Sequence, residues 1–262
     1  MNVLIKNLHL LICGFGFMGY AIAQEKLIHS HNDYEQRLPF YQAYAQQVAS
    51  IEADIFATEK ENELLVAHNK EELGSAPTLE ESYIEPIVSL YQLNKGRAWR
   101  GSDKYFVLLI DLKTPADPTL DILIKKLQLY PEVFDPKVNP YAVRVVISGS
   151  RPDVSTFPDY PSIISFDGTL QEYSPQQLER IHIISLNFVF FSRWDGQGSI
   201  KEDELKRLQE TITTVHASGK PIRFWGSPDG EIAWQTFHQL GIDYINTDHP
   251  EACAAFFRNQ TK

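Results

Sequence analysis

Two acidic residues, Glu52 and Asp54, stand two positions apart within the apolar segment Ser50–Phe56. Residues i and i+2 of a β-strand point to the same face, so both carboxylates share one side of the strand. Two carboxylates on a buried face repel each other and lose their hydration unless a cation lies between them. Their oxygens suit a hard divalent ion, so the pair predicts a site for Mg²⁺ or Ca²⁺. The alternative is an edge strand with a solvated acidic face.

A second charged pair ends the apolar run that begins at Phe106, where Asp111 and Lys113 share one face of the strand. Asp111 is the candidate third oxygen ligand of the metal. Lys113 would neutralise a phosphate or a leaving oxygen beside it. An exposed ion pair at the end of a strand is the alternative.

Three histidines flank this acidic group. His29 and His31 stand at the end of the first apolar segment, and His68 closes the run that begins at Leu64. Histidines from two neighbouring elements beside a metal are what a general base and a general acid on opposite sides of a phosphorus require. We therefore expect catalytic histidines among these three. A structural role is expected for His182, His216 and His238.

Strands and helices must bring these residues together. Eight strand-like segments recur along the chain: Leu27–His31, Ala49–Ile55, Tyr105–Leu112, Ala142–Ser148, Ser162–Phe166, Ile181–Asn187, Ile222–Trp225 and Tyr244–Asn246. Six segments between them carry helical patterns with start or stop signals: Pro39–Gln47, Thr78–Gln92, Asp117–Tyr130, Ser174–Arg180, Lys201–Ser218 and Ser227–Leu240.

This alternation predicts a (β/α)8 TIM barrel, since eight β-then-α units in about 240 residues match the size of that fold. A doubly wound open sheet is the alternative. We favour the barrel because polar residues end many strands at the same relative position, as the carboxyl-terminal rim of a barrel requires. No linker or repeat indicates a second domain, so residues 24–262 are expected to form one domain.

The composition is that of an ordinary folded protein, with 43% hydrophobic and 22% charged residues. The net charge of −10 argues against a surface that tracks a nucleic-acid backbone. Nucleic acid is therefore not an expected partner.

Residues 1–23 predict a secretory signal peptide, with Lys6, an apolar stretch and a small-residue ending before cleavage near Ala23 and Gln24. The stretch is too short and interrupted for a spanning helix, so we expect a secreted or periplasmic protein without an integral membrane segment. Cleavage would leave Cys253 as the only cysteine. A Gly-x-Gly-x-x-Gly pattern at residues 14–19 lacks the helix that a dinucleotide site needs, so the signal interpretation is preferred.

The order of these motifs resembles the phosphatidylinositol-phospholipase-C-like phosphodiesterase superfamily, which includes glycerophosphodiester phosphodiesterases and sphingomyelinase D. The resemblance rests on the histidine that ends the first strand, on Ile51–Asp54, His68 and Asp111–Thr114, and on a weaker echo at Ile245–Pro250. It implies a barrel hydrolase for a glycerophosphodiester, a phosphoinositide or a phospholipid-type diester.

By position, the resemblance implies that His31 and His68 perform acid–base catalysis and that Lys113 contacts the phosphate. Glu52, Asp54 and Asp111 would hold one divalent cation, Mg²⁺ or Ca²⁺. The chain has His31-Asn32-Asp33 where glycerophosphodiesterases usually show His-Arg-Gly, so Asn32 becomes a substrate-binding candidate. Asp111–Thr114 is closer to sphingomyelinase D.

His29 remains a second candidate for the first catalytic histidine. We favour His31 because it precedes Pro39 by eight positions, about the interval in glycerophosphodiesterases. Trp225 is a further substrate-binding candidate, one of several aromatic residues near later strand ends that are either a platform for a glycerol, inositol or lipid group or barrel-to-helix packing.

Two other functions stay open. The His29-x-His31 pair also opens metallohydrolases of the amidohydrolase type, which bind Zn²⁺ or Mn²⁺ through both imidazoles. A secreted binding barrel without turnover is the third interpretation.

Overall fold

The computed structural model describes residues 27–60 and 62–260, and its central feature is a closed barrel of eight parallel strands. These are β1 Leu27–Ser30, β2 Ser50–Ala57, β4 Val107–Leu112, β5 Arg144–Gly149, β6 Ile164–Gly168, β7 Ile181–Asn187, β8 Ile222–Trp225 and β9 Tyr244–Thr247, with β3 Leu64–Val66 outside the ring. The first strand β1 pairs in parallel with both β2 and β9, which closes the ring. The TIM barrel is therefore confirmed, and the open-sheet alternative is wrong.

The short strand β3 was not predicted. It pairs antiparallel with β2, where Val66 lies opposite Ile55 and Leu64 lies opposite Ala57. Only three residues long, it gave too short a periodic signal to be recognised as a strand. Its function in the fold is to carry the chain back to the end of β2, so that His68 emerges at the carboxyl-terminal rim.

Eight α-helices surround the barrel in the described part of the chain. They are α1 Tyr41–Ala45, α2 Glu85–Leu93, α3 Ala116–Leu127, α4 Pro131–Phe134, α5 Pro175–Arg180, α6 Glu202–Ala217, α7 Glu231–Leu240 and α8 Pro250–Gln260. Local signals set several ends: Ser174 and Gln177 form a capping box at the start of α5, and Gly241 ends α7 in the left-handed region.

Three segments differ from the sequence expectation. The helix expected over 39–47 is reduced to the five residues of α1, and the short α4 and the terminal α8 were not predicted. A π-helical turn at Glu80–Ile84 precedes α2 within the segment expected to be helical. None of the helices in the described residues is long and apolar enough to cross a membrane.

Alternate strand residues fill the barrel interior in layers. The amino-terminal part holds a small apolar cluster of buried residues, namely Val107, Leu109, Val146, Ile183 and Tyr244. Above it the interior becomes polar, with His29, Glu52 and Arg223 buried at 0%, 6% and 4% exposure. The larger apolar core lies between the strands and the helices. Apolar side chains thus fill the amino-terminal end of the barrel, and polar side chains face the carboxyl-terminal end.

The signal peptide predicted for residues 1–23 and the glycine pattern at 14–19 lie outside the described residues.

Candidate active site

A cavity of about 600 Å³ opens at the carboxyl-terminal ends of the barrel strands. Its volume is in the range of sites for small organic ligands. The cavity is lined by most of the sequence-predicted candidates, namely His31, Asn32, Glu52, Asp54, His68, Asp111, Lys113 and Trp225. His29 is the candidate that does not line it.

His31 follows β1 and is held by Asp248, which follows β9. Its Nδ1 lies 2.7 Å from Asp248 Oδ1, so Nδ1–H donates to the carboxylate and Nε2 remains for a ligand in the cavity. Burial disfavours the imidazolium, but the Asp248 hydrogen bond and the charge of Glu52 outweigh it and raise the pKa of His31. The same bond lowers the pKa of Asp248.

His68 has a similar arrangement on the neighbouring side. Its Nδ1 lies 2.9 Å from the Tyr34 hydroxyl and 3.3 Å from Asp54 Oδ2. The Tyr34 hydroxyl donates to the same Asp54 oxygen over 2.7 Å. Burial, followed by the charge of Asp54, raises the pKa of Tyr34, so the phenol stays protonated. Tyr34 and Asp54 therefore hold the Nδ1 side of His68 and leave Nε2 for chemistry.

Lys113 joins two of the predicted carboxylates. Its Nζ lies 2.8 Å from Asp54 Oδ2 and 2.7 Å from Asp111 Oδ2, while Ser148 donates to Asp111 Oδ1 over 2.7 Å. Burial disfavours the ammonium, but its bonds to Asp111 and Asp54 raise the pKa of Lys113 and keep it charged. For Asp54, burial and then the charge of Glu52 raise the pKa despite the bond to Lys113.

Beneath the cavity floor, His29, Glu52 and Arg223 form a buried network. Arg223 Nη1 donates to Glu52 Oε2 over 2.7 Å, and His29 Nε2 lies 2.7 Å from the same oxygen. Nε2 therefore carries the proton, and Nδ1 accepts from the Ser50 hydroxyl at 2.8 Å. Burial and then the charge of Arg223 lower the pKa of His29 to about 3.

The network has two consequences. Burial alone would raise the pKa of Glu52, but Arg223 and the bond from His29 hold it below its usual range, so Glu52 stays ionised. His29 is fully buried and uses both ring nitrogens inside the barrel. It is not placed beside His31 as one of two metal-binding imidazoles, which weighs against the His-x-His interpretation and favours His31 as the first catalytic histidine.

The three predicted metal ligands all reach the cavity, and their oxygen-only donor set fits a hard cation. Asp54 Oδ1 is a buried oxygen without a hydrogen-bond partner. In the side-chain positions of the described residues, however, no three His, Cys, Asp or Glu side chains close around a common point that could hold an ion. Positively charged side chains lie beside these carboxylates instead. Arg223 forms an ion pair with Glu52, and Lys113 lies between Asp54 and Asp111.

The other two substrate-binding candidates, Asn32 and Trp225, lie at the ends of β1 and β8, which only β9 separates in the ring. Asn32 adopts a left-handed backbone conformation at φ 46°, and its Oδ1 lies 2.9 Å from the Tyr34 hydroxyl. Trp225 ends β8, and 42% of its surface is exposed.

Sequence reasoning gave no site role to Arg223, Tyr34 or Asp167. Period-2 alternation could have indicated Arg223, which stands two residues before Trp225 and shares its face. Tyr34 lies in the single 3-10 turn Asp33–Glu35 after β1, and its contacts come from β2 and the chain after β3, so no local pattern indicated it.

The barrel with its histidine and carboxylate rim, together with matches to two family models, places the chain in the phosphatidylinositol-phospholipase-C-like superfamily, which includes the glycerophosphodiester phosphodiesterases. Residues 21–152, half of the chain, match the family model for the AIM6-like phosphodiesterase domain, so the chain belongs to that family. Residues 221–251 match the model of the glycerophosphoryl diester phosphodiesterase family.

Curated relatives cover most of the chain. A protein from Eremothecium gossypii named "Altered inheritance of mitochondria protein 6" is 26% identical over 87% of this chain and 69% of its own length. A homologue of the same name from Arthroderma benhamiae is 25% identical over 88% of this chain and 83% of its own length.

Two solved structures share the fold. A glycerophosphodiester phosphodiesterase from Parabacteroides distasonis superposes with a TM-score of 0.57 at 14% identity, over 92% of this chain and 99% of its own. A phosphodiesterase from Oleispira antarctica, solved with its product sn-glycerol-3-phosphate, gives a TM-score of 0.51 at 9% identity, over 90% and 97% of the two chains.

Proposed function

We propose that this protein hydrolyses phosphodiesters, with His31 and His68 as the acid–base pair. The observation that carries this proposal is the matched setting of the two histidines on one cavity. Each has Nδ1 beside an aspartate, at 2.7 Å for Asp248 and 3.3 Å for Asp54, so each presents Nε2 to the cavity. One histidine takes a proton from the attacking hydroxyl while the other gives a proton to the leaving oxygen.

The charges around the cavity favour a diester over a monoester. Lys113, Arg151 and Arg223 line it together with the carboxyl groups of Glu52, Asp54, Asp111 and Asp167. A phosphodiester brings one negative charge, whereas a monoester at neutral pH brings nearly two. The substrate is accordingly a glycerophosphodiester, a phosphoinositide or a phospholipid-type diester, as the Oleispira complex with a glycerol phosphate also suggests by analogy.

The proposed cofactor is one divalent cation, Mg²⁺ or Ca²⁺, held by Glu52, Asp54 and Asp111. When bound, it would supply positive charge to the phosphate oxygens. Lys113 stays within reach of the same carboxylates and adds a fixed positive charge for the phosphate.

A substrate screen tests the function. The protein with Mg²⁺ or Ca²⁺ should cleave bis(p-nitrophenyl) phosphate, glycerophosphodiesters, phosphatidylinositol or sphingomyelin, and cleave p-nitrophenyl phosphate much more slowly. If a hydroxyl of the substrate is the attacking group, phosphorus NMR will show a cyclic phosphate before the hydrolysis product.

Histidine variants test the assignment of roles. His31→Ala and His68→Ala should each lower kcat by about 10² to 10⁴, whereas His216→Ala, on the outer helix α6, should leave kcat unchanged. Full activity of either cavity variant would contradict the acid–base assignment. Absence of turnover on every diester, with the cation bound, would favour the non-catalytic binding barrel.

We also propose that the protein is exported, on the strength of the apolar stretch and small-residue ending of residues 1–23. Expressed with its own leader in a Gram-negative host, it should be found in the periplasm with an amino terminus near Gln24. An intact Met1 in the cytosolic fraction, measured by mass spectrometry, would contradict this.

A further inference from the structure

A second cavity, of about 330 Å³, opens at the amino-terminal end of the barrel, opposite the candidate active site. It lies beside the first residues of β5, β6 and β7 and the last residues of α5. Its lining includes three cations, Lys137, Arg144 and Arg180, and the imidazole of His182. Of the described residues that line it, Glu179 alone carries a carboxyl group. This local excess of positive charge is unexpected in a chain with 34 acidic and 24 basic side chains.

The cations at this end of the barrel are bonded to neutral groups instead of carboxylates. Arg180 Nη2 donates to two main-chain carbonyl oxygens, at 2.9 and 2.8 Å. Arg144 Nη2 donates to another carbonyl over 2.7 Å, and Lys220 Nζ to one more over 2.6 Å. Within the described residues, none of these three cations forms an ion pair with a carboxylate, and neither does Lys137. Their positive charge therefore has no counter-ion from the protein.

Partial burial makes this unpaired charge costly. Arg144, Arg180 and Lys220 are all half-buried. Burial lowers the pKa of Arg180 and of Lys220, against the charge of Glu179. Arg180 Nε is also a buried donor without a hydrogen-bond partner. A cation that loses hydration without gaining a counter-ion destabilises the folded state, so an anion in the cavity would offset this cost.

His182 stands among these cations with its imidazole neutral. Its ring forms no hydrogen bond within the part of the chain that the structure describes. Burial, followed by the charges of Arg144 and Lys220, lowers the pKa of His182 to about 4. The other charged groups at the cavity are Lys137, Glu179, Arg180 and Asp135, which accepts a hydrogen bond from the lining residue Ser162. An anion beside the ring would favour the imidazolium, which adds a further cation to the site.

We propose that this cavity binds a divalent oxyanion such as sulfate or inorganic phosphate, held by the cations of β5 and α5 and by protonated His182. A concave site of this size suits a small ligand, and several cations around one point favour a divalent ion over chloride. The cavity lies at the opposite end of the barrel from His31 and His68. Its occupant therefore stabilises the fold without competing with substrate, and the inference is independent of the proposed hydrolase activity.

NMR of histidine-labelled protein during a sulfate titration tests the site. Sulfate remains a dianion at pH 5 and pH 8, so a pH-dependent response belongs to the protein. The imidazole signals of His182, assigned with His182→Gln, should shift with saturation, and the pKa of His182 should rise in the bound form. By linkage, sulfate should bind more tightly at pH 5 than at pH 8. Sodium chloride at equal ionic strength controls for screening and should not reproduce the response.

Variants identify the groups that hold the ion. Arg180→Gln should weaken sulfate binding about 10- to 100-fold, as the loss of one charge-assisted hydrogen bond predicts. Lys206→Gln is the matched control, because it removes the same charge from an exposed position on α6. Lys113→Ala, in the candidate active site, should leave the His182 response unchanged. His182→Gln is a second test should Arg180→Gln fail to fold, and calorimetry should show that it binds sulfate with less dependence on pH.

Three results would overturn the inference. The first is a set of His182 signals that sulfate leaves in place. The second is equal weakening of sulfate binding in Arg180→Gln and Lys206→Gln, which would indicate a general charge effect. The third is loss of the response in Lys113→Ala, which would place the bound ion in the candidate active site.

Discussion

At the scale of single residues, the two cavity histidines are distinguished from the buried one by the groups around their nitrogens. His29 is enclosed by Ser50, Glu52 and Arg223, and its pKa of about 3 keeps it neutral at physiological pH. His31 has only its Nδ1 side occupied, by Asp248. Two histidines that are two positions apart in the sequence thus have opposite properties, because full burial and the charge of Arg223 lower the pKa of His29, whereas the hydrogen bond to Asp248 raises that of His31.

The first prediction concerns Asp248. Replacing it with Asn removes the charge and the accepting carboxylate that raise the pKa of His31. The limb of the kcat/KM profile that His31 controls should therefore move to lower pH, with a fall in kcat of about tenfold or more. The measurement is kcat/KM against pH for wild type and variant, at constant ionic strength.

The same profile provides the counter-test. A lower kcat with both limbs at their wild-type pH would mean that Asp248 only supports the fold of the loop after β9. Asp243→Asn is a control, since Asp243 pairs with His216 rather than with a cavity histidine.

The second prediction concerns the stability cost of Asp167. Burial raises the pKa of this carboxyl to about 6, from 3.8, against the opposing charges of Arg223 and Arg151. Because the pKa is raised in the folded state, ionisation of this carboxyl destabilises the fold. The loss of unfolding free energy is absent below about pH 4, grows between pH 4 and 6, and is complete above pH 6. Asp167→Asn should therefore raise the free energy of unfolding at pH 8, by up to about 3 kcal/mol.

Urea unfolding of both proteins at pH 4 and pH 8 measures the effect. The gain should shrink towards zero at pH 4. A variant that is less stable than the wild type at both pH values would show that the carboxylate stabilises the fold, which would contradict this prediction.

At the scale of elements, the ends of the strands decide where the functional groups lie. The chain at the end of β5 must pass very close to the end of β4. Gly149 has φ +69°, and a Cβ at this position would lie 2.5 Å from the Leu112 carbonyl oxygen and 2.9 Å from Asp111 Oδ1. The absence of a side chain thus permits the contact between Asp111 and Ser148.

The third prediction is that Gly149→Ala destabilises the fold by about 2–4 kcal/mol, through backbone strain plus the steric clash. Gly219→Ala is the matched control, because it has φ +74° but no atom within 4 Å of the added Cβ. It should cost only about 1–2 kcal/mol, the price of the left-handed conformation. Equal losses of unfolding free energy in the two variants would contradict the close approach at Gly149.

At the scale of the whole molecule, the cavity combines four carboxylates with three fixed cations, and the balance between them controls cation binding. If Mg²⁺ or Ca²⁺ binds only the native state, it should stabilise the protein by about 2.7 kcal/mol at a hundredfold excess over Kd. Asp111→Asn should reduce this gain, while Asp203→Asn should retain it. Asp111 is preferable to Glu52 as the test site, because Glu52 also neutralises the buried Arg223.

The measurement is the free energy of unfolding from thermal or urea denaturation, with and without millimolar cation. A stability that neither ion changes in the wild type would refute the metal assignment. Stabilisation by Zn²⁺ alone would restore the His-x-His interpretation despite the burial of His29.

Local patterns in the sequence were enough to predict the barrel and most of the residues at its rim. Strand alternation predicted that Glu52 and Asp54 share a face, and the count of β-then-α units predicted a barrel, because both signals are local and periodic. The short strand β3 was not predicted because three residues are too few to show the alternating pattern of a strand.

The different roles of these residues depend on contacts between strands that are far apart in the sequence. Arg223 reaches Glu52 across 171 positions of sequence, and Asp248 reaches His31 across 217. Closure of the ring through β1 and β9 creates these pairs, and no local pattern encodes them. Closure of the ring also buries His29 while His31 lines the cavity. The burial and the charged neighbours of each histidine depend on side chains that other strands of the barrel contribute.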